Sequence, residues 1–308
     1  MATLDLIIVN SPLFRDFNPL YDEDSLPPLG LGYIATSVSK VGLSVALIDA
    51  IADRIPLEKL IEAVENRDAK NIAINVFTTN LDLVKQFVES LSKNGRKIIL
   101  GGLSTRTLYE EIFSWKCEGE IDIVFGDGEL IVPDILIGKE KQPPDKATGN
   151  FRYFKVDSAS SYYCDDISSL SLDRGYFSNE PVIHPRGFVE ANIVASRGCI
   201  YNCSFCAAAR SLNKDLTIRE RSIKSLVDEL REIQECFPNV NSIRVLDDLF
   251  LKSARCIDNA IEVFSKFNFS WRSMAHVMTF RDVELGKLIE LRESGCKELF
   301  IGIESGSP

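Results

Sequence analysis

Short apolar runs alternate with amphipathic segments through the first half of the chain. Runs of strand length occupy residues 4–9, 45–48, 71–77, 97–100 and 121–125. Segments with apolar residues three or four positions apart follow them, at 29–41, 57–65, 81–94, 107–114 and 130–137. Strands buried on both faces by flanking helices are continuously apolar. The alternation therefore predicts an α/β fold, a doubly wound parallel sheet over residues 1–140.

The residues that follow these strands are small or polar. Ligands of such sheets bind beyond the carboxyl ends of the strands, where glycine lets a ligand approach the backbone. For any one glycine, a simple turn explains the residue equally well, but together the tips favour a ligand-binding face. The candidates are Asn10, Ser11, Thr78, Thr79, Asn80, Gly101, Gly102, Gly126, Asp127, Gly128 and Glu129.

The second half repeats the alternation after a mixed stretch. Residues 141–187 are charged, contain proline and predict a linker. Strands are then predicted at 189–195, 242–246, 270–274 and 298–303, with helices at 222–236, 254–267 and 282–294, the last one capped by Asp282. Active sites of βα barrels lie at the carboxyl ends of their strands. The pattern predicts part of such a barrel over residues 188–308.

Three cysteines with C-x3-C-x2-C spacing follow the first of these strands. Thiolates as close as Cys199, Cys203 and Cys206 can converge on one soft metal centre. Three ligands on a four-iron cluster would leave one iron open to a substrate, whereas electron-carrying clusters normally have four cysteines. A zinc site would need a fourth ligand, and neither His184 nor His276 lies in such a motif. The spacing favours a cluster over zinc, and both over core packing.

Composition narrows the function classes. The chain shows no signal peptide or apolar membrane span, so we expect a cytoplasmic protein with reduced cysteines. The net charge of -10 argues against a general nucleic-acid surface. We therefore expect no nucleic-acid or membrane partner.

Several motifs resemble one enzyme superfamily. The sequence SRGCIYNCSFC at 196–206 resembles the radical SAM superfamily, in the form found in its cobalamin-dependent branch. LDDLF at 246–250 and GIESGS at 302–307 are similar to its second- and fourth-strand motifs. PPLGLGYIAT at 27–36, GG at 101–102 and GDGE at 126–129 resemble the cobalamin-binding domain of the same branch.

The resemblance implies a cofactor set. Cys199, Cys203 and Cys206 would hold a [4Fe-4S] cluster whose open iron chelates S-adenosylmethionine (SAM), and one electron would cleave SAM to a 5'-deoxyadenosyl radical. The residues implied to contact SAM are Phe205, Asp247, Asp248, Glu304 and Ser305. Cobalamin would lie against the strand ends of the first domain, without a histidine ligand from it, because no histidine precedes His184.

The same resemblance implies a domain order and an activity. Residues 1–140 would form a Rossmann-like cobalamin-binding domain, 141–187 a linker, and 188–308 a partial radical SAM barrel with about four of six strands. We expect a fragment, or a chain whose barrel a partner completes. The leading hypothesis is a methyltransferase acting on an unactivated centre of a small molecule or peptide, with flavodoxin or ferredoxin as electron donor. The alternatives are a radical cyclase or rearrangement enzyme, and a non-catalytic cofactor-binding or redox-sensing module.

Overall fold

A computed structural model describes residues 3–12, 26–184, 187–304 and 306. The chain divides into two units. The first comprises Met1–Cys164 and Ser171–Ser178, and the second comprises Asp165–Leu170 and Asn179–Pro308. None of the helices within the described ranges is long and apolar enough to cross a membrane.

The first unit is built from seven strands and five helices within its described residues. In chain order these are β1 (Leu4–Asn10), α1 (Leu29–Lys40), β2 (Val45–Asp49), α2 (Leu57–Glu65), β3 (Ala69–Asn75), α3 (Leu81–Leu91), β4 (Lys97–Gly101), α4 (Thr105–Ile112), β5 (Ile121–Gly126), α5 (Ile131–Ile137), β6 (Lys146–Thr148) and β7 (Phe151–Val156). The five predicted strand–helix pairs are confirmed.

The sheet of this unit has the strand order β2-β1-β3-β4-β5-β7-β6. Every neighbouring pair is parallel except β6 and β7. Four consecutive β1 residues, Leu6 to Val9, are fully buried, as expected for a strand covered on both faces. The order reverses between β1 and β3, which is the switch point where ligands of open α/β sheets bind.

One feature of the first unit differs from the prediction. Residues 146–156 lie in the predicted linker, yet β7 continues the sheet beside β5, and β6 pairs with β7. Thr78–Asn80 forms a short 3-10 turn before α3, and the Asn80 side chain does not cap that helix. Residues 146–156 therefore extend the first sheet, and the Asn80 side chain forms hydrogen bonds with Phe77 and Ser11.

The second unit contains a five-stranded sheet and three helices in its described part. Its elements are β8 (Val182–Ile183), β9 (Val189–Ile193), β10 (Ser196–Arg197), β11 (Arg219–Glu220), α6 (Ile223–Cys236), β12 (Ser242–Val245), α7 (Ala254–Phe264), β13 (Ser270–Ala275), α8 (Leu285–Glu293) and β14 (Cys296–Ile301). The order is β14-β13-β12-β9-β8, with β9, β12, β13 and β14 parallel. The four predicted barrel strands are confirmed.

One face of this second sheet is apolar and packs on the helices. Ala191, Ile193, Ile243 and Trp271 share a core with residues of α6 and α7. The Trp271 ring stacks on Phe264 with centroids 4.6 Å apart. Alternate strand residues therefore point to the opposite face, which is polar. The expected cap of the last helix was wrong, because α8 begins after Glu284 rather than at Asp282 and no side chain caps it.

Candidate functional site

The three motif cysteines lie on one loop, residues 198–218, which we call the cysteine loop. Its two ends meet because β10 pairs antiparallel with β11, directly after β9. The Arg221 backbone N–H donates to the Ala195 carbonyl at 2.9 Å. Gly198 begins the loop with a φ of 91°, a conformation that favours glycine. The loop therefore stands at the carboxyl end of the first parallel strand, as predicted.

The cysteine thiols are accessible to different degrees. Cys199 and Cys206 are half-buried and Cys203 is exposed. Burial raises the pKa of the Cys199 thiol, and the negative charges of Asp248, Cys206 and Cys203 raise it further. The Tyr201 backbone N–H approaches the Cys199 Sγ at 3.5 Å.

No group of three His, Cys, Asp or Glu side chains has the arrangement of an assembled metal site in the part of the chain that the structure describes. The chemistry of the three thiols nevertheless suits a soft metal or an iron–sulfur cluster. The three thiols lie on a single loop, where one is exposed and two are half-buried.

The two adjacent acids after β12 have different surroundings. Asp247 is buried, and its carboxylate accepts hydrogen bonds from the Ala195 N–H at 2.7 Å and the Ser196 hydroxyl at 2.6 Å. Burial raises the pKa of Asp247 to about 6. Asp248 is exposed and accepts a hydrogen bond from the Gly198 N–H at 3.1 Å. Asp247 thus fastens β12 to the segment before the cysteine loop, and Asp248 is the more accessible carboxylate.

A buried lysine continues this attachment. The Lys252 ammonium donates to the Ser196 hydroxyl at 3.0 Å and lies 3.1 Å from a Glu220 carboxylate oxygen. Ser196 belongs to β10 and Glu220 to β11, so Lys252 contacts both strands at the base of the cysteine loop. This base is held by charge-assisted hydrogen bonds, which are stronger than neutral ones.

The aromatic residues of the cysteine loop have separate environments. Phe205 is 71% exposed, so in this structure it does not pack within the loop. The Tyr201 ring instead stacks on the His276 imidazole, with centroids 3.8 Å apart and planes 20° from parallel. An exposed aromatic ring beside the cysteines is available to a bound ligand, as the sequence prediction for Phe205 requires.

The tip that follows β14 contains the remaining candidates for SAM contacts. Glu304 is exposed and has a positive φ of 61°. A Cβ at Gly302 would lie 2.3 Å from Glu304 Oε1, so the glycine makes room for that carboxylate. Ser305 lies outside the described residues. The tip shares the carboxyl edge of the second sheet with the cysteine loop and Asp248, because β9, β12 and β14 are parallel.

In the first unit, a polar network joins the carboxyl ends of β2, β1 and β3. The side-chain amide of Asn10 donates to the Asp49 carboxylate at 2.8 Å, and the side-chain amide of Asn75 donates to the side-chain oxygen of Asn10 at 2.7 Å. The Ser11 N–H donates to the Asn75 oxygen at 2.7 Å. Burial raises the pKa of Asp49. The network fixes the strand ends at the switch point between β1 and β3.

Asn80 extends the network to the turn before α3. Its amide nitrogen donates to the Ser11 hydroxyl at 2.5 Å, and its oxygen accepts from the Phe77 N–H at 2.9 Å. Asn80 is buried, while Thr78 and Thr79 are exposed. Asn10, Ser11 and Asn80 therefore shape this face, and the two threonines remain accessible to a ligand.

The surroundings of the glycines at the other strand tips explain, to different degrees, why no side chain is present there. Gly102 has a φ of 110°, and a Cβ there would lie 3.0 Å from the Val76 carbonyl oxygen. Gly101 has more space, since its nearest such neighbour is 4.0 Å away. Gly126 permits close approach of β7, and Gly128 makes room for Ile34. Asp127 is half-buried and Glu129 is buried. Gly101 is thus the tip glycine whose absent side chain is least explained by packing.

The sequence of the first unit matches a known domain family. Residues 23–136 match the B12 binding domain family. The first unit contains a B12-binding domain. The matched segment includes the tips of β3, β4 and β5, so most of the strand-end candidates lie within this B12-binding domain.

Two curated relatives of this chain are named as methyltransferases. The chain is 24% identical over 299 residues to an uncharacterised methyltransferase of Pyrococcus horikoshii, covering 92% of this chain and 61% of that protein. It is also 24% identical over 291 residues to bacteriochlorophyllide d C-12(1)-methyltransferase of Chlorobaculum tepidum, covering 91% of this chain and 56% of the relative. The chain thus spans roughly three fifths of the length of these relatives.

Solved structures extend the likeness to both units. The radical SAM methyltransferase TsrM of Kitasatospora setae, with tryptophan and a SAM analogue bound, superposes with a TM-score of 0.68 at 15% identity, over 98% of this chain and 60% of its own. The cobalamin-dependent SAM radical enzyme OxsB, with aqua-cobalamin and SAM bound, gives 0.67 at 18% identity, over 98% and 44%. The chain has the fold of cobalamin-dependent radical SAM proteins, which confirms the predicted fold class.

Several residues that contact these sites were not predicted from the sequence. Asp49 follows the strand predicted at 45–48, so the strand pattern could have placed it near Asn10, to which it is hydrogen-bonded. Asn75 lies inside the strand predicted at 71–77, and its position at the end of β3 is known only from the structure. No motif or spacing in the sequence indicates the Lys252–Ser196 or Tyr201–His276 contact, because each joins segments far apart in the chain.

Proposed function

We propose that the chain provides the cofactor-binding part of a cobalamin-dependent radical SAM methyltransferase. One observation carries the proposal: a B12-binding domain precedes a parallel βα sheet whose first strand ends in a C-x3-C-x2-C loop. Relatives named as methyltransferases and the folds of TsrM and OxsB support it.

Cys199, Cys203 and Cys206 would hold the [4Fe-4S] cluster, because their three soft thiol groups are suitable ligands for its iron. The cluster, when bound, supplies one electron for cleavage of SAM, and the corrinoid carries the methyl group. Asp248, Glu304 and Phe205 are exposed or accessible at the same sheet edge, so they are the residues we assign to SAM. The two carboxylates would accept hydrogen bonds from its ammonium group or ribose, and Ser305 stays assigned with them from sequence.

Asp247 receives a different role from that of its neighbour. Both of its carboxylate oxygens accept hydrogen bonds from residues before the cysteine loop. It would therefore position the loop, and direct contact with SAM falls to Asp248. In the B12-binding domain, Thr78, Thr79 and Gly101 would contact the corrinoid, held in place by the network of Asn10, Ser11 and Asn80.

Anaerobic reconstitution of the full-length protein tests the proposal. Purified protein receives iron, sulfide and cobalamin, then SAM, a low-potential reductant such as reduced flavodoxin, and candidate small-molecule or peptide acceptors. We expect corrinoid absorbance, 5'-deoxyadenosine and a methylated product. Cys203→Ala is the matched control, and it should retain cobalamin but release no 5'-deoxyadenosine. Absence of both corrinoid and 5'-deoxyadenosine from the wild type would refute the proposal. 5'-Deoxyadenosine with an unmethylated, rearranged product would replace methyl transfer with a cyclase or rearrangement reaction.

A further inference from the structure

The cysteine loop is anchored firmly at its base. β10 and β11 pair there, and the side chains of Asp247 and Lys252 form hydrogen bonds with the Ser196 hydroxyl. The three cysteines lie farther along the loop, at positions where this pairing has already ended. Their mutual position must therefore depend on other contacts.

Hydrogen bonds within the loop centre on Tyr201. Its carbonyl accepts a hydrogen bond from the Arg210 N–H at 3.0 Å, which joins the segment with the cysteines to the second half of the loop, residues 210–218. Its own N–H approaches Cys199 Sγ at 3.5 Å. Next to it, the Asn202 side chain accepts from the Ser211 N–H at 2.9 Å. A displacement of Tyr201 would therefore move Cys199 and disturb both halves of the loop.

His276 offers Tyr201 a fixed platform. It follows β13 directly, and its Nδ1 accepts a hydrogen bond from the Met278 N–H at 3.2 Å. The turn Val277–Phe280 is itself fastened, since the Thr279 hydroxyl donates to the Leu251 carbonyl at 2.9 Å. With the imidazole held in this way, the stack with centroids 3.8 Å apart ties the cysteine segment to the end of the third parallel strand.

We propose that His276 is a positioning residue for the cluster ligands, and that it acts through its stack on Tyr201. The inference rests on the proposed function, because it concerns the same cysteines. His276 would contact neither the cluster nor SAM through this role. It would hold the segment that contains the cysteines against the residues that follow β13. Aromatic pairs contribute enough to change the population of an open loop by about two- to tenfold.

Hydrogen–deuterium exchange on the full chain without cluster tests the stack directly. His276→Asn removes the ring but keeps an acceptor for the Met278 N–H, and Tyr201→Ala removes the other ring. In both variants we expect peptides covering residues 199–212 to exchange about two- to tenfold faster than in the wild type. Tyr201→Phe keeps the ring, and Leu212→Ala changes an exposed side chain of the same loop, so both should exchange at the wild-type rate.

The double variant supplies a stricter criterion. If the two rings act as one unit, Tyr201→Ala combined with His276→Asn should exchange no faster than either single variant. Additive effects would overturn the inference, as would wild-type exchange in His276→Asn. Unchanged far-ultraviolet circular dichroism and thermal midpoints of the variants would show that the fold is retained.

Retention of the cluster provides the second readout. After anaerobic reconstitution, we expect a chelator to remove iron from His276→Asn several times faster than from the wild type or Tyr201→Phe. Equal rates in His276→Asn and wild type would overturn the positioning role. If the wild type binds no iron at all, the proposed function fails, while the exchange experiment on the apoprotein still decides the role of the stack.

Discussion

Arg272 on β13 reaches across β12 to Glu190 on β9, and two hydrogen bonds of 2.6 and 2.8 Å join the guanidinium to the carboxylate. Both side chains are buried, and the Ser242 hydroxyl also donates to Glu190 at 3.1 Å. The pair lies on the polar face of the second sheet and connects three of its parallel strands. Removal of Glu190 would deprive the buried Arg272 guanidinium of these two hydrogen bonds, although the Glu298 carboxylate lies 3.6 Å away and would offset part of the charge.

Glu190→Gln should therefore destabilise the second unit by up to about 3–5 kcal/mol. Denaturant unfolding followed by Trp271 fluorescence, in a Trp115→Phe background, isolates that unit because the chain has two tryptophans. Asp228→Ala is the control, since it removes an exposed ion pair with Lys224 and should change stability by less than about 1 kcal/mol. Equal effects of the two substitutions would contradict the assigned importance of the buried pair.

Asp247 should make the second unit relatively more stable in acid. Because its folded pKa is raised from 3.8 to about 6, the native state binds a proton that the unfolded state releases. The stability contribution of this group is full below pH 3.8 and is lost as the pH rises to about 6. Stability of the wild type minus that of Asp247→Asn should fall over this window by up to about 3 kcal/mol. A difference independent of pH would contradict the raised pKa.

The two adjacent glycines at the end of β4 should respond differently to alanine. Gly102→Ala places a Cβ at a φ of 110° and 3.0 Å from the Val76 oxygen, so we expect a loss of about 1–3 kcal/mol in the apoprotein. Gly101→Ala meets no close atom and should leave apoprotein stability nearly unchanged. If a corrinoid lies on this face, Gly101→Ala should still weaken cobalamin binding, as titration of the absorbance would show. Unaltered binding would exclude Gly101 from the contact surface.

Each motif cysteine should be required for iron binding. Alanine at Cys199, Cys203 or Cys206 should reduce iron after anaerobic reconstitution to a small fraction of the wild-type content, because a cluster cannot be held stably by two thiolates. Cys236→Ala is a matched control, since Cys236 is also exposed but lies at the end of α6. Quantification of iron and acid-labile sulfide checks the prediction. Loss of iron in the control alone would place the site elsewhere.

Strand and helix periodicity predicted most of the fold because the core residues lie at regular spacing. The strand of Leu6 and Ile8 is continuously apolar, as a fully covered strand must be. β6 was not predicted because it is short and exposed along its whole length. β7 was missed although four of its six residues, in FRYFKV, are buried. β7 pairs with β5 and β6 pairs with β7, and the first of these is a tertiary interaction that local sequence does not encode.

The sites were predictable to different extents for a similar reason. Spacing alone placed the three cysteines on one loop and the acids at a strand end. It did not distinguish Asp247 from Asp248, although one is buried by Ala195 and Ser196 and the other is exposed. The Tyr201–His276 stack joins a loop to a distant strand end, so no short-range pattern contains it.

The return of residues 171–178 to the first unit has a practical consequence for dissecting the protein. A Cβ at Gly32 would overlap Phe177, so the side chain of Phe177 packs directly against α1 of the B12-binding domain. The Asp173 N–H also donates to the Thr36 hydroxyl at 2.8 Å. An expression boundary chosen from the family match, at residue 136, would remove β6, β7 and this returning segment. Isolation of the first unit for crystallisation or ligand titration therefore requires a C-terminus at or beyond Ser178.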